Sequence, residues 1–315
     1  MILTFIKKAP FKKNIEHLEY LGPVGKGPGD EQIQVYDQLQ LTPYSEKRFL
    51  KGQLGKGYGQ KDLDLVHTYT VVRMVLNMYQ DHLGRKLSWP GPSPLYIYPF
   101  SGSGVGACFI PEENSIYCYS NAVKKKWVFS CRFFDVVAHE TGHAILNALK
   151  PEWTISTTKE TAAVVESICD LTALFTKLNN WEWFNEIQLN DQLKGLSCFA
   201  FDYGLQLGYP YGIRNFNSSN HGVTSHDIST TFSGAVFQSL IWLYTNQPNL
   251  TNKEKYNKTQ QIVSICLVAI DQAKGNNIDF GQLANNMLSI ATENSWDDWV
   301  AGLRVQFHQK KIISN

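Results

Sequence analysis

Residues 134–149 read Phe134-Asp-Val-Val-Ala-His139-Glu140-Thr-Gly-His143-Ala-Ile-Leu-Asn-Ala-Leu149, with Pro151 just beyond. The pattern predicts a helix over about 135–149, closed by that proline. Two histidines at i and i+4 then share one helical face, where both imidazoles reach one Zn²⁺ at about 2.0 to 2.1 Å. Glu140 projects beside that position, placed to take a proton from a water whose pKa the metal lowers towards about 7. The bland reading is a buried helix that happens to hold two histidines. A pattern with three fixed positions arises by chance in about one chain of this size in a hundred, so a third ligand is the next requirement.

Residues 159–178 offer one. The run Lys159-Glu160-Thr-Ala-Ala-Val-Val-Glu166-Ser-Ile-Cys-Asp170 opens a predicted helix with Glu166 and Asp170 one turn apart on the same face. The helix is mostly apolar, and unpaired carboxylates there are costly. Glu166 on the metal and Asp170 accepting the free ring N–H of His139 would satisfy both acids and fix the histidine tautomer.

With these residues in place, the sequence resembles the thermolysin-like gluzincin zinc metallopeptidases, in Asp135-Val-Val-Ala-His139-Glu140-x-x-His143 and in Glu160 to Asp170. His221-Gly-Val-Thr-Ser-His226-Asp-Ile-Ser229 is similar to the family loop whose histidine stabilises the oxyanion, and His226 is the matching position. The resemblance implies an α+β fold over about residues 60–310: an antiparallel β-rich N-terminal lobe and a helical C-terminal lobe flanking a central zinc-binding helix. It also implies one zinc per chain on His139, His143 and Glu166, with Asp170 beside them and Glu140 and His226 as the catalytic groups. Arg214 matches the arginine that holds the substrate carbonyl. A substrate strand would pair along the Gly106-Ala107-Cys108 edge. The departures are informative. The acid that orients the oxyanion histidine falls at His221, so that Asp227 or another group takes the task or it is unfilled, and the family tyrosine between the two helices has no clear match, the longer connection offering Trp153 instead. Calcium is not expected, because Asp135 persists but the matching downstream positions are Lys177, Asn185 and Asn190.

The rest of the chain fits a folded protein of about two lobes. It has 315 residues, 43% apolar and 18% charged, which excludes disordered, collagen-like and small disulfide-scaffold classes. Residues 1–60 read as an irregular arm, 61–150 as a β-rich lobe ending in the zinc helix, and 151–315 as a helical lobe. A helix is predicted over 62–82, and short β-favouring runs at 95–98, 107–110, 115–119 and 127–130 predict an antiparallel sheet or meander. Later helices are predicted over 231–246, 253–273, 279–293 and 296–309, the last capped by Ser295 and Asp298.

Six cysteines without C-x-x-C spacing are expected to be reduced, a Cys108–Cys118 bridge across a hairpin being the alternative. The formal charge of +1 points to no nucleic-acid partner, and Lys124-Lys125-Lys126 reads as a solvated loop. No stretch is long and apolar enough to span a membrane. The start lacks a secretory signal pattern, so the expectation is a cytoplasmic chain or export by another route. A monomer acting on peptide or protein substrates is expected. The competing reading is a weak or inactive gluzincin-fold protein that binds a partner through its cleft. A third is a zinc hydrolase of non-peptide bonds.

Overall fold

A computed structural model describes residues 2–6, 15–19, 28–36, 60–91, 94–156, 158–189, 198–199, 201–209, 212–217 and 222–314. Strands β1 (Ile2–Ile6) and β2 (Ile15–Glu19) pair antiparallel, Ile2 opposite Glu19. Then come β3 (Ile33–Val35), helix α1 (Gln60–Leu83) and β4 (Leu95–Tyr98). The strands β5 (Ala107–Ile110), β6 (Ser115–Cys118), β7 (Ser120–Val123) and β8 (Lys126–Phe129) lead into α2 (Phe134–Leu149). Beyond it lie α3 (Pro151–Thr154), α4 (Lys159–Asn179), α5 (Trp181–Leu189), β9 (Cys198–Phe199), α6 (Phe201–Leu207) and β10 (Arg214–Asn215). The chain ends in α7 (Ser225–Asn246), α8 (Asn252–Gln272), α9 (Phe280–Glu293) and α10 (Asp297–Gln309).

The α+β class stands, with three differences of detail. The sheet is mixed rather than antiparallel: its order is β3-β4-β6-β5, with β3–β4 and β4–β6 parallel and β5–β6 antiparallel. Parallel neighbours need a crossover, and α1 supplies it between β3 and β4. The segment read as an irregular arm carries three strands. The last helix is not capped by Ser295, which sits in the left-handed region at φ 56° behind α9. Its N-cap is Trp296, and Asp298 instead accepts the Trp299 N–H at 2.9 Å.

The chain divides into two compact units, each with its own core. The first comprises Met1–Asn77, Leu87–Ala148 and Ala200–Gly212. Alternation along its strands buries Ile33, Val35, Leu95, Ile97, Ile116 and Cys118, while Tyr36, Tyr98 and Tyr117 stack in a row on the opposite face. Cys108 stands opposite Tyr117 and Cys118 opposite Ala107, so the two thiols leave opposite faces of the ladder, and both are free. Buried ion pairs tie its loops to α1. Asp30 pairs with Arg73 and accepts from the Tyr69 hydroxyl at 2.6 Å, and Asp64 takes a forked pair of bonds from Arg132, just before α2.

The second unit comprises Met78–Lys86, Leu149–Phe199 and Ile213–Asn315. In it α7 packs on α4 and α10, and α8 on α9. Gly234 on α7 makes room for the chain after β10: a Cβ there would lie 2.5 Å from the Phe216 carbonyl oxygen. His82 joins three helices, its Nδ1 lying 2.7 Å from Ser264 Oγ and its Nε2 3.1 Å from Asn179 Oδ1. Lys150 donates to the carbonyls of Asp271 (2.9 Å) and Ala273 (2.6 Å), placing an ammonium at the negative end of α8.

His67 on α1 generates a pH prediction. It is fully buried, and burial holds its imidazole down to about 3. In the unfolded chain it titrates near 6.5. The unfolded state therefore binds the extra proton first, and stability held above pH ~6.5 drains away as pH falls towards about 3, at up to about 1.4 kcal/mol per pH unit. Urea unfolding of wild type and His67→Phe between pH 7 and 4 should show a shallower acid slope in the variant. Parallel slopes would mean that another group carries the acid sensitivity.

Candidate functional site

In the first unit, α2 is buried along most of its length, so its polar residues are placed by the packing around them. His139 and Glu140 are 5% and 8% exposed, and His143 is half-buried. The i, i+4 spacing brings the two imidazoles together edge to face, with Nε2 of His139 and Nε2 of His143 at 3.2 Å. Two bonds of about 2.05 Å meeting near the tetrahedral angle hold their nitrogens about 3.3 Å apart, so this pair fits two corners of a zinc site. Nitrogen donors on a borderline-soft tetrahedral ion are the expected chemistry. Glu140 lies close enough to Cys118 that its charge, after burial, pushes that thiol up.

The same unit contains the strand edge proposed for substrate. β5 is one of the two outer strands of the sheet. Tyr119 N–H donates to Gly106 O at 3.0 Å, and by alternation the main-chain groups of Ala107 and Phe109 point away from β6. Gly106 leads into this strand at φ 80°, a left-handed conformation that favours glycine. Its N–H donates to the Tyr203 hydroxyl at 2.6 Å, and Tyr203 packs against Phe133, immediately before α2. Tyr203 was not legible in the sequence as a site residue. It lies 97 positions from its partner, and only an aromatic in a short helix marks it.

In the second unit, α4 carries Glu166 and Asp170 one turn apart. Asp170 has no solvent exposure and takes a forked pair of bonds from Arg214, with Nε to Oδ2 at 2.7 Å and Nη2 to Oδ1. Burial pulls the Arg214 guanidinium down, but Asp170, and after it Glu166, outweigh that and raise it overall. The structure thus gives Arg214 a partner that the sequence reading did not assign: it neutralises the acidic face of α4. The reason lies in β10, whose pairing with β9 sets Arg214 opposite Phe199.

His226 is also brought to α4. Its Nε2 lies 3.1 Å from Glu166 Oε2, and its side chain is 54% exposed. The helix begins earlier than periodicity predicts, because Thr224 and Asp227 form a reciprocal capping box that places His226 in the first turn. Asp227 accepts from the Thr224 N–H (3.1 Å) and hydroxyl (2.6 Å), which hold its carboxyl below the usual range, so it acts as a cap. The Ser167 hydroxyl donates to Ser229 O at 2.8 Å, locking α7 to α4 beside the histidine. His221 and Asn190 lie outside the described residues. Trp153 donates its indole N–H to Gly275 O at 3.1 Å, a structural contact within this unit.

No protein-family model matches the sequence, and no curated protein is significantly similar to it. Among solved structures, the fold is similar to that of the precursor of protealysin, a metalloproteinase from Serratia proteamaculans. The TM-score is 0.55 at 12% identity, over 82% of this chain and 81% of that one. At this identity the likeness is one of fold: the chain shares the architecture of that precursor.

The Asp170–Arg214 pair yields a stability prediction. Arg214→Met leaves a carboxylate with no exposure beside Glu166 without its guanidinium, and should cost about 3 to 5 kcal/mol in urea unfolding. Adding Asp170→Asn should recover part of the loss. Strict additivity of the two substitutions would show that they do not act as a pair.

Proposed function

We propose that this chain is a zinc-dependent metalloendopeptidase with His139, His143 and Glu166 as metal ligands. The observation that carries the reading is the 3.2 Å Nε2 pair on α2 with the buried Glu140 between its histidines in sequence. The metallopeptidase-like fold supports it, and so does the intact acid that a mere binding protein would not need. When bound, zinc would supply Lewis acidity towards a peptide carbonyl and towards water.

The protein's own groups carry the rest. Glu140 takes the proton of the attacking water and delivers it to the departing amine, which calls for a carboxylate and not an amide. His226, exposed on the first turn of α7, donates to the negative charge that develops on the carbonyl oxygen, a contact worth about 3 kcal/mol. Asp170 is the acid that would fix the ligating tautomer of His139, and Arg214 is the counter-charge that holds that acid in place. The substrate lies extended along β5, bonded to the outward main-chain groups of Ala107 and Phe109, since both main-chain groups of Gly106 are taken by Tyr203 and Tyr119 and only position the strand, so side-chain pockets decide which sequence is cut.

Purified protein should cleave a denatured protein and stop when a chelator is added. Glu140→Gln should keep its zinc and its melting temperature while losing roughly 10² to 10⁴ in kcat/KM. Glu166→Ala should lose stoichiometric zinc. Wild-type turnover in the first variant, or full zinc in the second, would overturn the assignment of that residue. His226→Ala should lower kcat far more than it raises KM, as expected of a contact made chiefly in the transition state. The opposite split would make His226 a substrate-binding group.

A further inference from the structure

The β7–β8 hairpin breaks a local rule of folding. Val123 pairs with Lys126, so Lys124 and Lys125 form a two-residue turn, with φ of 47° and 67°. Left-handed backbone at both positions is natural for Asn-Gly and is sterically unfavourable for lysine. Lys126 and Trp127 follow at once, and all four residues are exposed, the indole by 57%. Across the ladder Trp127 faces Ala122, itself exposed. Among the described residues no carboxylate pairs with any of the three lysines. Behind the tip the hairpin is firmly seated: Phe129 meets Phe100 edge to face, and the Arg132 guanidinium lies 4.3 Å from its ring centre. A rigid base thus presents a strained, cationic tip with an uncovered indole, a choice of residues that hairpin stability does not explain.

We propose that this tip docks on an anionic phospholipid surface. Indole rings settle at the depth of lipid headgroups, and ammonium groups next to them meet phosphates and serine carboxylates. A two-residue turn is convex, so it meets a flat surface well. A convex turn offers no groove to a peptide strand, and the ring nearest the indole, Phe129 at 6.4 Å, is tilted against it and already engaged by Phe100 and Arg132, so the tip presents one aromatic face and no platform for successive bases. The whole chain carries only +1, so three adjacent lysines are a local feature that orients the approach. No helix of the described residues is long and apolar enough to cross a membrane, and three lysines with one indole give peripheral, reversible binding. At about fivefold per lysine, vesicles containing phosphatidylserine should be preferred over neutral ones by about 10².

The test uses the full chain, sedimented with vesicles of phosphatidylcholine alone or with about 30% phosphatidylserine. Binding to the anionic vesicles only, released by about 0.5 M salt, is expected. The informative variant is Lys124→Asn/Lys125→Gly, which installs a favoured turn. It should melt at or above the wild-type temperature yet bind anionic vesicles about 25-fold more weakly. Trp127→Ser should weaken binding with an unchanged melting temperature. Equal binding to both vesicle types, or wild-type affinity in the turn variant, would overturn the proposal. So would tighter binding to a single-stranded oligonucleotide at equal phosphate, which would assign the tip to nucleic acid.

Discussion

An aspartate deprived of water must find a cation, and three aspartates in this protein have each found one arginine. Asp30 with Arg73, Asp64 with Arg132 and Asp170 with Arg214 have carboxylate side chains 5%, 1% and 0% exposed. Each pair joins segments far apart in sequence. Such pairs are weak sources of net stability, since desolvation offsets most of their attraction. Their value is positional, because a buried charge tolerates no slip in register. The pair at Arg132 fixes where the chain enters α2, and the pair at Arg214 fixes β10 against α4. These paired charges set register where apolar packing alone permits small adjustments, and the two together locate the elements that carry the candidate chemistry.

Much of this was legible in the sequence, for reasons that differ by element. The helices now seen as α1, α2, α4, α8 and α9 follow from apolar periodicity and agree with the expected ranges to within about two residues. The histidine pair follows from i, i+4 geometry alone. Strand direction was not legible, because β-favouring residues signal a strand and say nothing about its neighbour's polarity. The first turn of α7 was missed because it is polar, and the Thr224–Asp227 cap that sustains it reads as loop composition. The partners of Asp170 and Gly106 were invisible for a simpler reason: separations of 44 and 97 residues leave no periodic trace.

The resemblance to protealysin's precursor at 12% identity shows how little sequence the architecture demands. What the fold asks for is apolar faces at the right period, and many residues satisfy that. Chemistry asks for particular atoms at particular distances. That is why the proposed function rests on the short stretch from His139 to His143 and not on the superposed chain.

Gly234 shows how chemistry can be governed by an absence. The hydrogen that stands where other residues have a Cβ lets α7 approach the Phe216 carbonyl, two positions beyond Arg214. A single methyl group there would press on the backbone that delivers the guanidinium to Asp170. The damage would travel along the chain to a residue the methyl never touches. Sequence drift at this position is therefore gated by clearance: the pair between Arg214 and Asp170 depends on one nearby position staying empty.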